Sequence, residues 1–505
     1  MSKSFFSKVL VGVGAVGVTD LLYQHDFKDF KGFSLRPRIA LAEAKVEKDG
    51  TIPYLLIGAG TASYFAALSI RGRDAKAKVL IIGDESHSSY NRTALSKDLW
   101  WHNYDPTDPY SLEYAGYKGR RKHVGYEAEG FYIDYNKLDE FPNGCVGLIR
   151  NTKVTRIDAD KKIAYLNNGR TIKFDKCLIA TGASPVLSPV FDKEELKGKV
   201  FNFKNIEDYI KLRKAVQPGT KIAVLDGGLL GTELSFSVKH FNDGVEVIQL
   251  VPETVCLEKI LPETLAKECQ ESTEESGVRV IRNVDVESAT KLPNGKVYLK
   301  LKTDRGTITV LVDYVVDGRS WKPNVEIAEN SRLELDPVNQ GIVANAQMLV
   351  RKDIYAAGDV VSFYDPVLGR MRKQQIEHAE ITGRCAGENM SGGTRIMPRR
   401  ASFRSRIGET LFLEGVGFTN PKLKTVVYRA DNKESFPRWI CFYLYNDRIV
   451  GVITCNMTYT LEYARKLIED ARLQTDMHEV AKLFTLYKAE KPEEEESSDD
   501  TPPSS

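Results

Sequence analysis

A strand running into a glycine turn and then a helix occurs twice in this chain, and that repeat constrains the fold more than any other feature. The first copy reads Ile52-Pro-Tyr-Leu-Leu-Ile57, then Gly58-Ala59-Gly60-Thr61-Ala62-Ser63. The second reads Lys221-Ile-Ala-Val-Leu225, then Asp226-Gly227-Gly228-Leu229-Leu230-Gly231. Glycines at these spacings let a backbone turn tightly and approach a pyrophosphate, which then faces the amides of the following helix. Each unit continues into a second apolar strand ending near an acid. These are Val79-Leu-Ile-Ile82 before Asp84, and Val245–Val251 before Glu253. An acid at that offset accepts ribose hydroxyls. Two such units imply two dinucleotides, commonly a resident flavin and a visiting nicotinamide.

At 505 residues the chain has length for about three domains. With 42% hydrophobic and 28% charged residues its composition is that of an ordinary folded chain. The formal net charge of +2 gives no global field of the kind that gathers nucleic acid. Seven cysteines (Cys145, Cys177, Cys256, Cys269, Cys385, Cys441 and Cys455) are scattered without CxxC or CxxxxC spacing. That spacing argues against a disulfide framework, a metal site and a redox-active dithiol.

The periodicity divides the chain into six stretches. Residues 1–50 read as a targeting leader and linker, with Lys3 and Lys8 around Phe5-Phe6 and a short apolar run from Val9 to Val18. That run is too short to span a bilayer, which takes about 20 residues. Residues 51–181 form the first part of the flavin-binding domain, and 182–319 the nicotinamide-binding domain. Residues 320–400 complete the flavin domain, because Asp353-Ile-Tyr-Ala-Ala-Gly358-Asp359 reads as a further strand ending in Gly-Asp. Residues 401–488 change pattern. There Trp439–Leu444 and Ile449–Thr454 read as a hairpin around Asn446-Asp447, and a helix carries Leu461, Ala464, Leu467, Ile468 and Ala471 on one face. The acidic tail, 489–505, reads as disordered. The fold class is α/β, two Rossmann-like domains with an α+β C-terminal domain.

Several segments resemble the apoptosis-inducing factor family of flavoproteins. They are Tyr90-Asn-Arg92-Thr-Ala-Leu-Ser96-Lys97-Asp-Leu99, Cys177-Leu-Ile-Ala-Thr-Gly182, Lys259-Ile-Leu-Pro-Glu263, Ala357-Gly-Asp359, Ala386-Gly-Glu-Asn-Met390 and Glu479-Val-Ala-Lys-Leu-Phe484. The resemblance runs from about residue 51 to about residue 488. It implies a glutathione-reductase-like fold, FAD as cofactor and NADH as its reductant, with an unidentified electron acceptor and no metal. FAD would be held by Gly58, Ala59, Gly60, Thr61, Ala62, Asp84, Glu85, Arg92, Lys97, Val154, Lys204, Asp359 and Gln375. NADH would lie against Gly227, Gly228, Leu229, Leu230, Glu253, Lys259, Gly318, Arg404 and Glu414. Lys97 and Glu233 would pair beside the reactive edge of the flavin as the catalytic pair. The resemblance further implies a mitochondrial, intermembrane-space location and support of respiratory-complex biogenesis. An import partner taking an edge strand of the C-terminal hairpin, dimerisation on reduction, and nuclear DNA binding during cell death belong to the same picture.

The nicotinamide side departs from that pattern. Asp226 stands where the first glycine belongs, Gln374 and Gln375 where the family has glutamate and histidine, and Arg404 where it has an aromatic side chain. A carboxylate about 4 Å from a pyrophosphate costs roughly 1 kcal/mol in bulk water and about 4 at an effective dielectric of 20. Aspartate tolerates left-handed backbone, so the turn itself is expected to survive. Glu253 favours NADH over NADPH, since an acid there repels a 2′-phosphate. Arg395, Arg399, Arg400, Arg404 and Arg406 form a basic stretch with three readings: replacement phosphate contacts, a polyanion patch, or plain solvated surface. A second functional reading follows, in which FAD is structural and the protein is a scaffold with little NADH turnover.

Overall fold

The structure, a computed structural model, describes residues 50–101, 111–116, 119–365, 367–397, 400–430, 436–457, 460–470, 472–473, 476–484 and 486. The expected leader, Arg399, Ala471 and the acidic tail lie outside these residues. Among the described residues no helix is long and apolar enough to cross a membrane.

The first unit is β1 (Ile52–Ile57), α1 (Thr61–Arg73) and β2 (Lys78–Ile82), joined by β3 (Cys145–Ile149) and β4 (Thr171–Ile179). These strands pair in parallel in the order β4-β1-β2-β3. Leu55, Leu56, Val79, Leu80, Ile81, Leu178 and Ile179 are all fully buried, as a parallel sheet covered on both faces requires.

The second unit repeats the pattern with β5 (Lys221–Leu225), α2 (Leu229–Phe241), β6 (Glu246–Leu250), β7 (Arg279–Ile281) and β8 (Tyr314–Asp317). Its parallel order is β8-β5-β6-β7. Helix α2 begins at Leu229 because the glycine turn leads straight into it.

The chain then returns to the first sheet. Strand β9 (Ile354–Ala356) pairs in parallel with β4, Ile354 beside Cys177 and Ala356 beside Ile179. Helix α3 (Ile376–Met390) follows and crosses α1 at very close range. A Cβ on Gly383 would meet the Ala62 carbonyl oxygen at 2.3 Å, and one on Gly387 the Ala66 carbonyl oxygen at 2.4 Å. The Ala386-Gly387 pair quoted above thus serves backbone-to-backbone helix packing, which holds the first turn against α3.

After residue 400 the architecture becomes antiparallel. Strands β10 (Ser402–Ile407), β11 (Leu411–Gly417), β12 (Lys424–Arg429), β13 (Trp439–Tyr445) and β14 (Arg448–Cys455) pair in the order β10-β11-β14-β13-β12. Asn446 and Asp447 have φ of 49° and 54°, both left-handed as a tight two-residue hairpin turn demands. Helix α4 (Leu461–Asp470) buries Leu461, Ala464 and Ile468 against this sheet. One expectation is corrected here. The β13–β14 hairpin is not an edge, since both of its strands are paired on both sides, and the free edges belong to β10 and β12.

Candidate functional site

At the first turn, Gly58 has φ +104°, and a Cβ there would lie 2.2 Å from the Ala180 carbonyl oxygen at the end of β4. Only glycine fits. Gly60 is the N-cap of α1, has no side-chain cap, and has nothing within 4 Å of where its Cβ would be. Uncapped amides at Thr61 and Ala62 under open space make an anion cradle. Ala59 packs where a Cβ on Gly83 would fall, which leads β2 into the exposed Asp84.

A polar network continues from there. Arg92 pairs with Glu85 and donates to the Tyr90 hydroxyl at 2.6 Å and to the Lys204 carbonyl at 3.3 Å. Tyr90 in turn donates to Glu85 at 2.7 Å. Burial acts to raise the Glu85 carboxyl, but Arg92 outweighs it and holds that carboxyl below its ordinary value. Lys204 donates to Ser184 at 3.1 Å, and burial pulls its ammonium below the usual lysine value. Val154 is buried at the start of the strand Val154–Asp158.

Asp359 follows Gly358, whose φ of +77° turns the chain at the end of β9. Burial pushes its carboxyl up to about 6, against the pull of Arg372, Arg92 and Lys204. Gln375 is the N-cap of α3, and its Oε1 is buried with no hydrogen-bond partner. An open cradle, a titratable acid among three cations and an orphaned amide oxygen, beyond the C-terminal ends of β1 and β9, fit a polyhydroxylated dinucleotide such as FAD.

Lys97 and Glu233 come together: Nζ lies 3.1 Å from Oε2. Glu233 is 4% exposed and accepts from the Ser96 hydroxyl at 2.6 Å and the Ser405 hydroxyl at 2.7 Å. Burial pushes this carboxyl up, and Lys97 with the two hydroxyls offsets part of the effect. Lys97 also donates to the Arg404 carbonyl at 2.5 Å. The cluster therefore joins both dinucleotide units and the C-terminal sheet. Ser96 stands beside Lys97 in the sequence and was open to recognition. Ser405 carries no local signal, because only the tertiary fold brings β10 to α2.

At the second turn Asp226 takes a backbone unlike that of Gly58. It is absent from the left-handed residues, so no tolerance of that region is needed. Its Oδ1 accepts from the Gly228 N–H and its Oδ2 from the Gly231 N–H, each at 2.8 Å. Burial pushes the carboxyl up to about 6, and the two N–H bonds act against that. Leu229 and Leu230 open α2. Glu253 pairs with Lys259 at 2.6 Å, while its Oε2 is buried without a partner and lies 2.4 Å from where a Cβ on Gly227 would fall. A Cβ on Gly318, at the end of β8, would lie 3.3 Å from the Asp226 Cβ, so that glycine makes room for the aspartate.

The basic stretch is mostly neutralised. Arg404 pairs with Glu414 across β10 and β11 at 2.6 Å, Arg400 with Asp365 at 2.9 Å, and Arg395 with Glu388 at 2.6 Å. Arg406 lies 4.0 Å over the Trp101 ring. These four arginines make local contacts, which corrects the reading of a free patch, while Arg404 and Arg395 remain 65% and 45% exposed, as a solvated surface has them. All seven cysteines are buried thiols.

A family model described as pyridine nucleotide-disulphide oxidoreductase matches residues 53–383. The chain is similar to "Putative apoptosis-inducing factor 1, mitochondrial" of Drosophila melanogaster, 32% identical over 86% of this chain and 66% of that protein. It is similar to "Apoptosis-inducing factor 1, mitochondrial" of Dictyostelium discoideum, 33% identical over 85% of this chain and 80% of that one. It is also 28% identical, over 67% of this chain and 76% of the relative, to the ferredoxin–NAD(+) reductase component of the anthranilate 1,2-dioxygenase system of Burkholderia cepacia. Among solved structures, a ferredoxin reductase from Rhodopseudomonas palustris superposes with a TM-score of 0.70. It has 22% identity and covers 86% of this chain and 100% of that one. That likeness is one of fold.

Proposed function

This chain belongs to the pyridine nucleotide-disulphide oxidoreductase family and, within it, to the apoptosis-inducing factors, and from that membership we propose how its two dinucleotide units work together. It is an FAD-dependent NADH oxidoreductase. FAD, when bound, would supply the two-electron chemistry between NADH and an acceptor.

The protein's own residues bind, orient and tune. Amides at the start of α1 would hold the FAD pyrophosphate, Asp84 a ribose, and Asp359 the ribityl hydroxyls. The observation that carries the reading is the Lys97–Glu233 pair, a cation held by a buried acid where the two units meet. Held there, the ammonium would favour negative charge on a flavin ring placed beside it. Glu253 and Lys259 would hold the adenosine side of NADH.

Relatives named as ferredoxin and rubredoxin reductases support a small electron-carrier protein as acceptor. Relatives named as mitochondrial support a mitochondrial location, in the intermembrane space by the resemblance. Respiratory-complex biogenesis, import partnership, dimerisation on reduction, and a nuclear role with DNA binding in cell death rest on the family alone. Arginine pairing weighs against the last. Salt-dependent retention on DNA would restore it, since contacts between cations and phosphates weaken as salt rises.

The deciding experiment is an anaerobic NADH titration of the flavoprotein, followed by visible absorbance. Bleaching at stoichiometric NADH supports the oxidoreductase reading. A spectrum unchanged by millimolar NADH leaves the scaffold reading, which the carboxylate on the second turn favours.

A further inference from the structure

The two turns differ at one place that decides what a nucleotide meets. Over Gly60 the direction a side chain would take is open, with nothing within 4 Å. Over Gly228, the matching glycine, the same direction is filled by the Asp226 carboxylate. Its Oδ1 stands 3.1 Å and its Oδ2 3.6 Å from the Cβ position. That carboxylate already accepts the Gly228 and Gly231 amides. We propose that Asp226 is a built-in anion of the second dinucleotide site, standing in the space a pyrophosphate would enter, so that a nucleotide binds only in competition with it. This inference deepens the NADH reading above and rests on it.

The surroundings make the competition dependent on protons. Charged groups facing Asp226 come from the loop after β6, where Glu253 disfavours its ionised form and Lys259 favours it. The Cys256 thiol of the same loop also faces it and is pushed up to about 12 by burial. Gln249 on β6 holds the Asp226 carbonyl at 2.9 Å. Helix α2 offers the Gly228 and Gly231 amides. At the end of β8, Asp317 and Arg319 flank Gly318 and pair with each other at 3.1 Å. The carboxyl, pushed up to about 6, is mostly ionised at neutral pH. An incoming pyrophosphate adds negative charge beside it, so binding is accompanied by uptake of one proton by Asp226. Affinity must then fall as pH rises above about 6, by at most about tenfold per pH unit.

The test uses the FAD-loaded protein and ADP-ribose, which carries the pyrophosphate and no nicotinamide, with NADH titrated in parallel. Binding is measured by calorimetry near pH 6, 7 and 8 for the wild type, Asp226→Gly and Asp226→Asn. The wild type is expected to weaken about tenfold or more across that range, while both variants stay within about twofold. Near pH 8 Asp226→Gly is expected to bind at least about tenfold more tightly than the wild type, through relief of charge repulsion. Glu253 is retained in every protein, so a slope from that acid would persist in the variants. Equal affinity and equal slope in all three proteins would overturn the proposal while leaving the NADH site standing. Absence of ADP-ribose and NADH binding in all three would overturn both. If Asp226→Gly fails to fold, the slope of Asp226→Asn decides alone.

Discussion

Lys97 Nζ lies 3.1 Å from Glu233 Oε2, although the first residue belongs to one dinucleotide unit and the second to the helix that opens the other. The pair is no surface ornament, because the Glu233 side chain is 5% exposed and two serine hydroxyls complete its shell. Its position makes the alignment of the two units a condition for the charge at the proposed flavin edge. Replacing Lys97 by Met is therefore expected to slow anaerobic flavin reduction by NADH by about tenfold or more. Stopped-flow absorbance measures this. An unchanged rate in a variant that keeps its FAD would remove the pair from the chemistry.

Gly58→Ala is expected to yield protein without flavin. The added Cβ falls 2.2 Å from the Ala180 carbonyl, and the backbone there is left-handed, which alone disfavours an L-residue by about 1–2 kcal/mol. The ratio of visible to ultraviolet absorbance after purification reports it. A fully loaded variant would show that the turn relaxes.

Gly383→Val tests the crossing of α3 over α1. Its side chain would drive into the Ala62 carbonyl, so overpacking of about 1–3 kcal/mol is expected, together with weaker FAD retention. Denaturant midpoints with and without added FAD separate the two effects. A midpoint equal to the wild type's would contradict the close approach.

Asp359 makes the flavin-free protein pH-sensitive. Its carboxyl titrates near 6 when folded and at about 3.9 when unfolded, so the folded state binds more protons between those values. Its contribution to stability is complete below about pH 4 and is lost as pH rises through about 6. Asp359→Asn is thus expected to raise the melting temperature of the flavin-free protein above about pH 7, by up to about 3 kcal/mol in stability, and to change little near pH 4. A wild-type melting profile that does not fall across that window would contradict the assignment.

Much of this was readable from residue order alone. Strand, turn and helix at Ile52–Ser63 announce themselves because glycine spacing, apolar runs and the terminal acid are all local. So does the hairpin turn at Asn446-Asp447. The pairing of Arg404 with Glu414 was hidden, since it depends on the register of β10 with β11. The direction of the Asp226 side chain was only half legible, because the room for it is left by Gly231 nearby and also by Gly318, far along the chain. The mistaken edge hairpin has the same origin: β11 and β12 enclose it, and nothing within its own sequence says so.

The return of β9 to the first sheet has a consequence for synthesis on the ribosome. The Cys177–Ile179 end of β4 has no partner on that side until β9 follows, and the whole second unit must be translated in between. At ordinary elongation rates that interval is on the order of ten to thirty seconds. That edge is short but fully apolar, and left open for that time it is a template for wrong pairing. The first sheet is therefore completed only when its last strand arrives, after the second unit has had time to fold.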